Sequence, residues 1–391
     1  MSKKCPPPRQ LSLACGRLLP LDSLRGFAAI LIAFVYHAGH RGFDVPSYFP
    51  DLLAGPIRYL GGHGGEYVHL FFMLSGVVFY YNYRKKIEKK QIDLQEFVLL
   101  RFSRLYPSCW LNIIVQACIM FYWQVTYGGN PYNRFYRGSI YEFVLSALFI
   151  NTTSTTMLSP AFNPVLWTVS YEIILYFIFF FVASISGRKN GILLYIFPIL
   201  LGLVSANGRA GAVGDMINAT GFICSYGQVL IDFFTGCLLS EFYMFIRDKQ
   251  SAKAVGYSAL PFVVLIPVLD NFYPEILGDT LGVFQFVWYP AIILSILCIS
   301  RLFQFLSLKP FQWLGKLSFS IYIWHLPIMD IIELLLLRMG LPEYVSSKRV
   351  FAIWFISTLI LSWISYTFFE RPFQKRIRNK YYGWRERKAI Q

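Results

Sequence analysis

The chain has 391 residues, of which 56% are hydrophobic and only 15% are charged. Soluble domains carry about 25% charged residues, so this composition excludes an ordinary soluble globular protein. The formal net charge of +15 would also suit a nucleic-acid-binding protein, but the distribution of that charge along the chain argues against that class.

Ten apolar segments approach or reach the ~20 residues that a helix needs to cross a bilayer. If both termini are cytoplasmic, 27 of the 36 Lys and Arg residues lie in cytosolic segments and eight lie outside. Membrane proteins carry an excess of Lys and Arg on the cytosolic side, which favours this orientation and explains the basic charge without nucleic acid. We therefore predict an all-α polytopic membrane protein with about ten transmembrane helices, at 21–39, 67–83, 105–127, 164–185, 191–206, 219–245, 254–270, 280–300, 317–337 and 350–369.

We expect one membrane domain and no appended soluble domain. We expect residues 1–20 to form a basic cytosolic leader, residues 21–373 a single membrane domain and residues 374–391 a basic cytosolic tail. The segment 84–107 has the pattern of one basic amphipathic helix leading into the third span. The seven cysteines are scattered singly, without the paired spacing of a metal site, so no metal is expected.

Ionisable side chains inside the spans are the first candidates for function, because a charge within the bilayer is costly unless it faces a cavity or a partner. His37 stands ~18 Å along the first helix from Arg25, past the middle of the bilayer. A histidine in that position suits proton transfer. The candidates are His37, Glu172, Asp232, His325, Asp330 and Glu333 within spans, and Arg25, Arg101, Arg104 and Glu370 at their cytosolic ends.

Each of these residues also has a purely structural interpretation. His37 could be an interhelical hydrogen-bond donor, and His325 could bind a carbonyl freed by a kink at Pro327. Glu172 could pair with an arginine, and the arginines could be cytosolic anchors. For Asp330 and Glu333, near the outer face, the structural interpretation is favoured.

Six blocks follow one another along the chain: LDSLRGFAAILIAFVYH (21–37), HLFFMLSGVVF (69–79), LLRFSRLYP (99–107), NPVLWTVSYE (163–172), WLGKLSFSIYIWHLPI (313–328) and FERPF (369–373). In order and spacing these blocks resemble the acyltransferase family 3, from about residue 21 to 373. The family consists of integral-membrane acyltransferases that modify bacterial surface carbohydrates and some natural products.

The resemblance implies a ten-helix domain that takes an acyl group from cytosolic acyl-CoA and transfers it to a hydroxyl. The arginine and histidine of the family's first helix correspond to Arg25 and His37. The other matching positions are Arg101 and Arg104 before the third helix, Ser75 of LSG, Trp167, Ser170 and Glu172 of WTVSYE, and the late His325 and Glu370. By this resemblance His37, Glu172 and His325 are the catalytic candidates, Arg25, Arg101 and Arg104 bind the donor, and Ser75, Ser170, Trp167 and Glu370 have substrate-binding or structural roles.

The chain departs from the family pattern at two points. The family usually has ten residues between the arginine and the histidine, but eleven separate Arg25 from His37. Twelve steps of 100° place His37 about 120° from the face of Arg25, so either the helix contains a π-bulge or the two residues do not cooperate. The family often has aspartate before LFF, where this chain has His69, which puts an acid role at that position in doubt.

Acyl transfer from a thioester to an alcohol needs a base and a positive pocket for the donor phosphates. A neutral His37 suits the first task and the arginines suit the second, while Glu172 could orient an imidazole or hold a sugar hydroxyl. Nothing in the sequence sets Ser75 or Ser170 beside a base, so direct transfer is favoured over an acyl-enzyme.

We predict an O-acetyltransferase of the bacterial inner membrane. Acetyl-CoA would be its donor substrate, and a free or lipid-linked surface carbohydrate such as O-antigen or capsule its acceptor. Two alternatives stay open: acylation of a small glycoside or natural product, and a proton-coupled transporter or lipid-carrier flippase. The lack of an internal repeat argues against the transporter.

Overall fold

In a computed structural model of the chain, the described residues are 18–129, 140–149, 162–187, 191–207, 222–278 and 280–390. These residues form helices, turns and connecting loops, and no strand occurs among them. The all-α prediction is confirmed. The predicted leader, residues 1–20, lies almost entirely outside the described residues.

Eleven long helices make up most of the described part of the chain. They are α1 (Leu19–His40), α2 (Tyr67–Glu88), α3 (Leu94–Tyr127), α4 (Trp167–Ile185), α5 (Leu193–Asn207), α6 (Phe222–Ile246), α7 (Ser251–Phe272), α8 (Thr280–Cys298), α9 (Lys309–Arg338), α10 (Lys348–Ile364) and α11 (Arg371–Ile390). Short helices lie between some of them, among them Asp51–Gly62 and Ile140–Leu148. A π-helical turn, Ser365–Glu370, joins α10 to α11.

Eight helices of the described chain are long and apolar enough to cross a membrane. The protein is therefore an integral membrane protein. The two other predicted spans coincide with α2, which ends in a charged turn, and with α5, whose apolar part is shorter. The count of ten and the cytoplasmic location of both termini stay predictions.

The basic segment 84–107 is divided between two helices, contrary to the prediction of one. α2 ends at Glu88, and α3 begins at Leu94. The side chain of Asp93 accepts a hydrogen bond from the Glu96 amide at 2.7 Å. An aspartate in this position satisfies a free amide at the helix N-terminus and so starts a new helix.

Glycines allow two pairs of helices to approach closely, as small residues do in membrane proteins. A Cβ on Gly26 of α1 would lie 2.8 Å from the backbone of α9, and one on Gly315 of α9 would lie 2.3 Å from the Asp22 carbonyl. Between α2 and α6, a Cβ on Gly76 would lie 1.9 Å from the Phe233 carbonyl. The first contact fixes α1 against α9, and these two helices carry the candidate histidines His37 and His325.

A π-helical turn, Ile32–Tyr36, interrupts α1 just before His37, whose amide donates to the Ile32 carbonyl five residues earlier. α1 and α9 run parallel, with Gly26 against Gly315 and His37 against His325. The path from Gly26 to His37 is one residue longer than that from Gly315 to His325. The π-turn accommodates this extra residue, because it places one more residue in a turn than an α-helix does. Of the two alternatives left by the sequence, the π-bulge is therefore correct.

Candidate active site

A wide cavity of about 2070 Å³, here called the vestibule, opens between α1, α2, α3, α9 and α11. Six cationic side chains and two acidic ones line it. The excess of positive charge makes the vestibule suited to an anionic ligand, and guanidinium groups in particular recognise phosphates by paired hydrogen bonds. The charged residues of the lining are Asp22, Arg25, Arg101, Arg104, Lys316, Glu370, Arg371 and Arg378.

A narrower cavity of about 720 Å³, the inner cavity, continues from the vestibule. Arg25 and Arg104 line both cavities and so mark their junction. Aromatic and aliphatic side chains form most of the inner wall, together with Ser75 and Glu172. The wall includes Tyr322 of α9, whose ring centroid is 6.2 Å from that of His325. The inner cavity therefore extends from the arginines toward the histidines.

His37 and His325 form a hydrogen-bonded pair. Nδ1 of His37 is 2.9 Å from Nε2 of His325, and the two rings stack with centroids 4.9 Å apart. Nδ1 of His325 is 3.2 Å from the carbonyl oxygen of Ile321. A carbonyl only accepts, so Nδ1 of a neutral His325 carries the proton and its Nε2 is an acceptor. His37 must then donate from Nδ1, which leaves its Nε2 unprotonated.

This arrangement leaves Nε2 of His37 in the unprotonated form that proton abstraction requires. No described residue makes a hydrogen bond with Nε2 of His37, so its lone pair is available for a substrate proton. His325 is fully buried. It holds the ring of His37 in one tautomer, which is the orienting task that a third group performs in many catalytic sites.

The carbonyl freed by Pro327 has other partners. Proline lacks an amide hydrogen, so the Ile323 carbonyl loses its helical donor. The side-chain amides of Asn112 and Asn163 donate to it at 2.7 and 2.9 Å. The interpretation of His325 as the partner of that carbonyl is therefore wrong. Sequence reasoning missed both asparagines, although Asn163 opens the NPVLWTVSYE block.

The three candidate arginines have different surroundings. Nη2 of Arg25 donates to the Ser75 hydroxyl at 3.2 Å. Arg101 is buried, donates to the Tyr83 hydroxyl, and has its guanidinium 4.7 Å from the ring centroid of Phe79. Arg104 makes no hydrogen bond or ion pair with a described residue and lines both cavities. Arg104 is therefore the most available of the three for a ligand.

Two of the acidic candidates, Glu172 and Glu370, lie on the arginine side of the site. Glu172 lines the inner cavity and accepts a hydrogen bond from the Tyr176 hydroxyl, and it forms no ion pair with a described arginine. Glu370 lines the vestibule and accepts from the hydroxyls of Ser320 at 2.6 Å and Ser365 at 3.0 Å. Neither carboxylate is hydrogen-bonded to a histidine of the pair, so neither orients an imidazole there.

Two candidates of the WTVSYE block lie apart from both cavities. Ser170 is 1% exposed and lines neither of them. Trp167 packs against Phe72 and Tyr171, with ring centroids 6.3 and 5.3 Å apart. These positions suit packing roles for both residues.

Two further clusters of ionisable groups are buried. Arg41, one turn beyond His37, binds Asp330 at 2.7 Å and Glu333 at 3.0 Å. This supports the structural interpretation of the two acids, whereas Arg41 itself was not singled out from the sequence. Nδ1 of His69 lies 2.6 Å from Oδ2 of Asp232. An acid is thus present beside the LFF block, but α6 supplies it.

Comparison with known proteins identifies the family of the chain. A family model described as an acyltransferase domain matches residues 19–367. The peptidoglycan O-acetyltransferase OatA of Listeria monocytogenes is 26% identical over 79% of this chain, and the O-acetyltransferase OatA of Staphylococcus aureus is 26% identical over 92%. The exopolysaccharide production protein ExoZ of Rhizobium meliloti is 25% identical over 80% of this chain and 90% of its own length.

The match to the OatA proteins is partial on their side. The chain spans 51% of the Listeria protein and 58% of the Staphylococcus protein. No solved structure matches the chain significantly. The family match extends over most of the sequence and includes every candidate site residue except Glu370. The chain therefore belongs to this acyltransferase family, the family 3 that its sequence motifs resemble.

Proposed function

We propose that this protein is a membrane O-acetyltransferase that transfers an acetyl group from acetyl-CoA to a hydroxyl of a surface carbohydrate. The observation that carries the proposal is the pairing of His37 with His325 beyond a cavity whose other end is lined by arginines. The names of the OatA and ExoZ relatives, which refer to O-acetyltransferases and an exopolysaccharide, support the same class of reaction.

The vestibule would hold the nucleotide part of the donor. Its arginines suit the phosphates of coenzyme A, and the largely apolar inner cavity suits the uncharged pantetheine arm and the acyl group. An arm that enters past Arg25 and Arg104 carries the thioester toward Tyr322. The donor would then meet the histidine pair at the end remote from its phosphates.

The chemical step needs only one proton carrier. Nε2 of His37 takes the proton of the acceptor hydroxyl while the oxygen attacks the thioester carbonyl carbon. The tetrahedral intermediate collapses, the carbon–sulfur bond breaks, and the departing thiolate takes the proton from His37. The products are the acetyl ester and coenzyme A, and the base returns to its starting state. General base catalysis of this kind contributes about 10²–10⁴-fold in rate.

Direct transfer is favoured because the positions of the two candidate serines do not suit a nucleophile. The Ser75 hydroxyl accepts from Arg25, and Ser170 is buried outside both cavities. No described histidine is hydrogen-bonded to the Ser75 hydroxyl, whereas a serine nucleophile normally needs an adjacent base.

The membrane orientation completes the proposal. Ten helices with both termini in the cytoplasm would open the vestibule to the cytosol, where acyl-CoA is present. The acceptor would reach His37 from the other side, past His40, which is exposed at the end of α1. We infer that the membrane domain comprises residues 21–373 and is located in the bacterial inner membrane.

The experiment uses the full chain purified in detergent, labelled acetyl-CoA and de-O-acetylated surface glycan from the organism in which the protein occurs. We expect alkali-labile acetyl esters on the glycan, detected by mass spectrometry, and none with His37→Ala. Transfer in detergent, without a membrane gradient, would exclude a proton-coupled transporter. If the wild type forms no ester on any hydroxyl acceptor, the proposed function fails. Ester formation on a small glycoside alone would show that the acceptor is a small glycoside and not a surface carbohydrate.

A further inference from the structure

The basic C-terminal segment forms part of the vestibule wall. It is helical from Arg371, where α11 follows the π-turn without a loop. Arg371, Gln374 and Arg378 line the vestibule. Their spacing of three and four residues places them on one face of the helix. The segment that the sequence suggested to be an appended tail thus faces the same cavity as the donor-binding candidates.

The C-terminal half of α11 contacts the N-terminus of α3. The Tyr382 hydroxyl donates to Glu96 at 3.0 Å, and Arg385 lies 3.2 Å from Asp93 and also contacts Glu96. Asp93 is the N-cap residue of α3 and Glu96 lies in its first turn. These contacts therefore connect α11 to α3 beside the vestibule. The position of α11 is therefore set by specific contacts with the membrane domain.

Arg378 of α11 also contacts α3. Its Nε donates to the Ser103 hydroxyl and its Nη2 to the Leu100 carbonyl, each at 3.3 Å. No described residue accepts a hydrogen bond from its Nη1. The partners of Arg378 are neutral, so its positive charge is not compensated by a direct ion pair within the described chain.

Three guanidinium groups consequently meet at one wall of the vestibule. Arg101 and Arg104 of α3 and Arg378 of α11 all line it, and no described carboxylate forms an ion pair with any of them. Like charges repel, so such a cluster weakens the fold unless an anion binds among them. Planar guanidinium groups are well suited to phosphate oxygens, which they bind through two parallel hydrogen bonds.

We propose that α11 is part of the donor site and that Arg378, together with Arg371, binds the nucleotide phosphates of the acyl-CoA donor. This inference rests on the proposed function, which it extends from the membrane helices to the C-terminal helix. The thioester end of the donor lies away from α11, so Arg378 acts on donor affinity and not on the chemical step.

The test compares Arg378→Ala with Arg376→Ala, an exposed arginine of the same helix that lines neither cavity. We expect Arg378→Ala to raise KM for acetyl-CoA about 10-fold with little change in kcat, as loss of a charged hydrogen bond does. With S-acetylpantetheine, which lacks the nucleotide phosphates, both variants should match the wild type. Equal KM values of the two variants for acetyl-CoA would overturn the proposal.

A binding measurement separates this inference from the proposed function. Adenosine 3′,5′-bisphosphate should bind the purified wild type by titration calorimetry, more weakly with Arg378→Ala and normally with Arg376→Ala. This result would support the phosphate site even if no acetyl transfer were found. Unchanged affinity in Arg378→Ala would refute it. Arg378→Lys, which keeps the charge, should show an intermediate affinity and so control for misfolding.

A basic helix can also bind anionic lipid. The assays are therefore run in zwitterionic detergent and in nanodiscs with anionic lipid. An effect of Arg378→Ala that occurs only with anionic lipid would make α11 a membrane anchor and would overturn the donor-site assignment.

Discussion

Replacing His325 tests the central feature of the proposed mechanism, which is that His325 fixes the tautomer of His37. His325→Leu keeps an apolar side chain of similar size but cannot accept the hydrogen bond from Nδ1 of His37. The Trp354 indole, which donates to the backbone carbonyl of residue 325 at 2.7 Å, does not depend on the side chain. We therefore expect the variant to fold and to insert in the membrane.

The size of the effect follows from the lost hydrogen bond. A buried donor left without its partner costs about 1–3 kcal/mol. At about 1.4 kcal/mol per factor of ten, this predicts a fall in kcat of about 5–150-fold. The arginines of the vestibule are unchanged, so KM for acetyl-CoA should stay within about twofold of the wild type.

The matched variant is His325→Gln. Its side-chain oxygen extends about as far as Nε2 of histidine and can accept from Nδ1 of His37, so it should recover most of the rate. The assay measures acetyl ester formed by purified protein at saturating acceptor. A His325→Leu variant with wild-type kcat would show that His37 does not depend on its partner. Equal rates for the leucine and glutamine variants would show that shape alone matters.

Three further predictions concern other parts of the molecule. Arg104→Ala should raise KM for acetyl-CoA about 10-fold through loss of a phosphate contact. Arg58→Ala, on the short helix Asp51–Gly62 away from the vestibule, should leave KM unchanged. Equal effects of the two substitutions on KM would contradict the donor assignment. In a cysteine-free background, cysteine at Glu275 should react with an impermeant thiol reagent on intact cells, and labelling only after permeabilisation would reverse the orientation. Gly26→Val should lower the melting temperature in detergent, because its Cβ meets α9 at 2.8 Å and overpacking costs about 1–3 kcal/mol, whereas Gly39→Val, with open space around it, should not.

The membrane architecture was predictable from local sequence. Apolar length is a property of one segment, and a bilayer requires every spanning segment to satisfy its own backbone hydrogen bonds as a helix. The helices of the structure accordingly coincide with the predicted spans. The motif blocks identified the family for the same reason, since each block is contiguous. The break between α2 and α3 was missed because the basic pattern of 84–107 concealed the capping residue Asp93.

The assembly of the site depended on contacts between distant segments. His37 and His325 are separated by 288 positions, and Arg378 meets Ser103 across 275. No local pattern specifies which helix faces pack together, so the tautomer of His37 and the place of α11 could not be derived beforehand.

The sequence by itself determined that this chain spans a membrane, that it has an extra residue between Arg25 and His37, and which polar residues stand in apolar surroundings. Only the tertiary structure decided what the extra residue does. The close contact of Gly26 with Gly315 fixes α1 against α9, and the π-turn Ile32–Tyr36 then allows His37 to meet His325. Helix packing decided this, because a bulge in one helix is favourable only when the neighbouring helix holds a partner at the position that the bulge makes reachable.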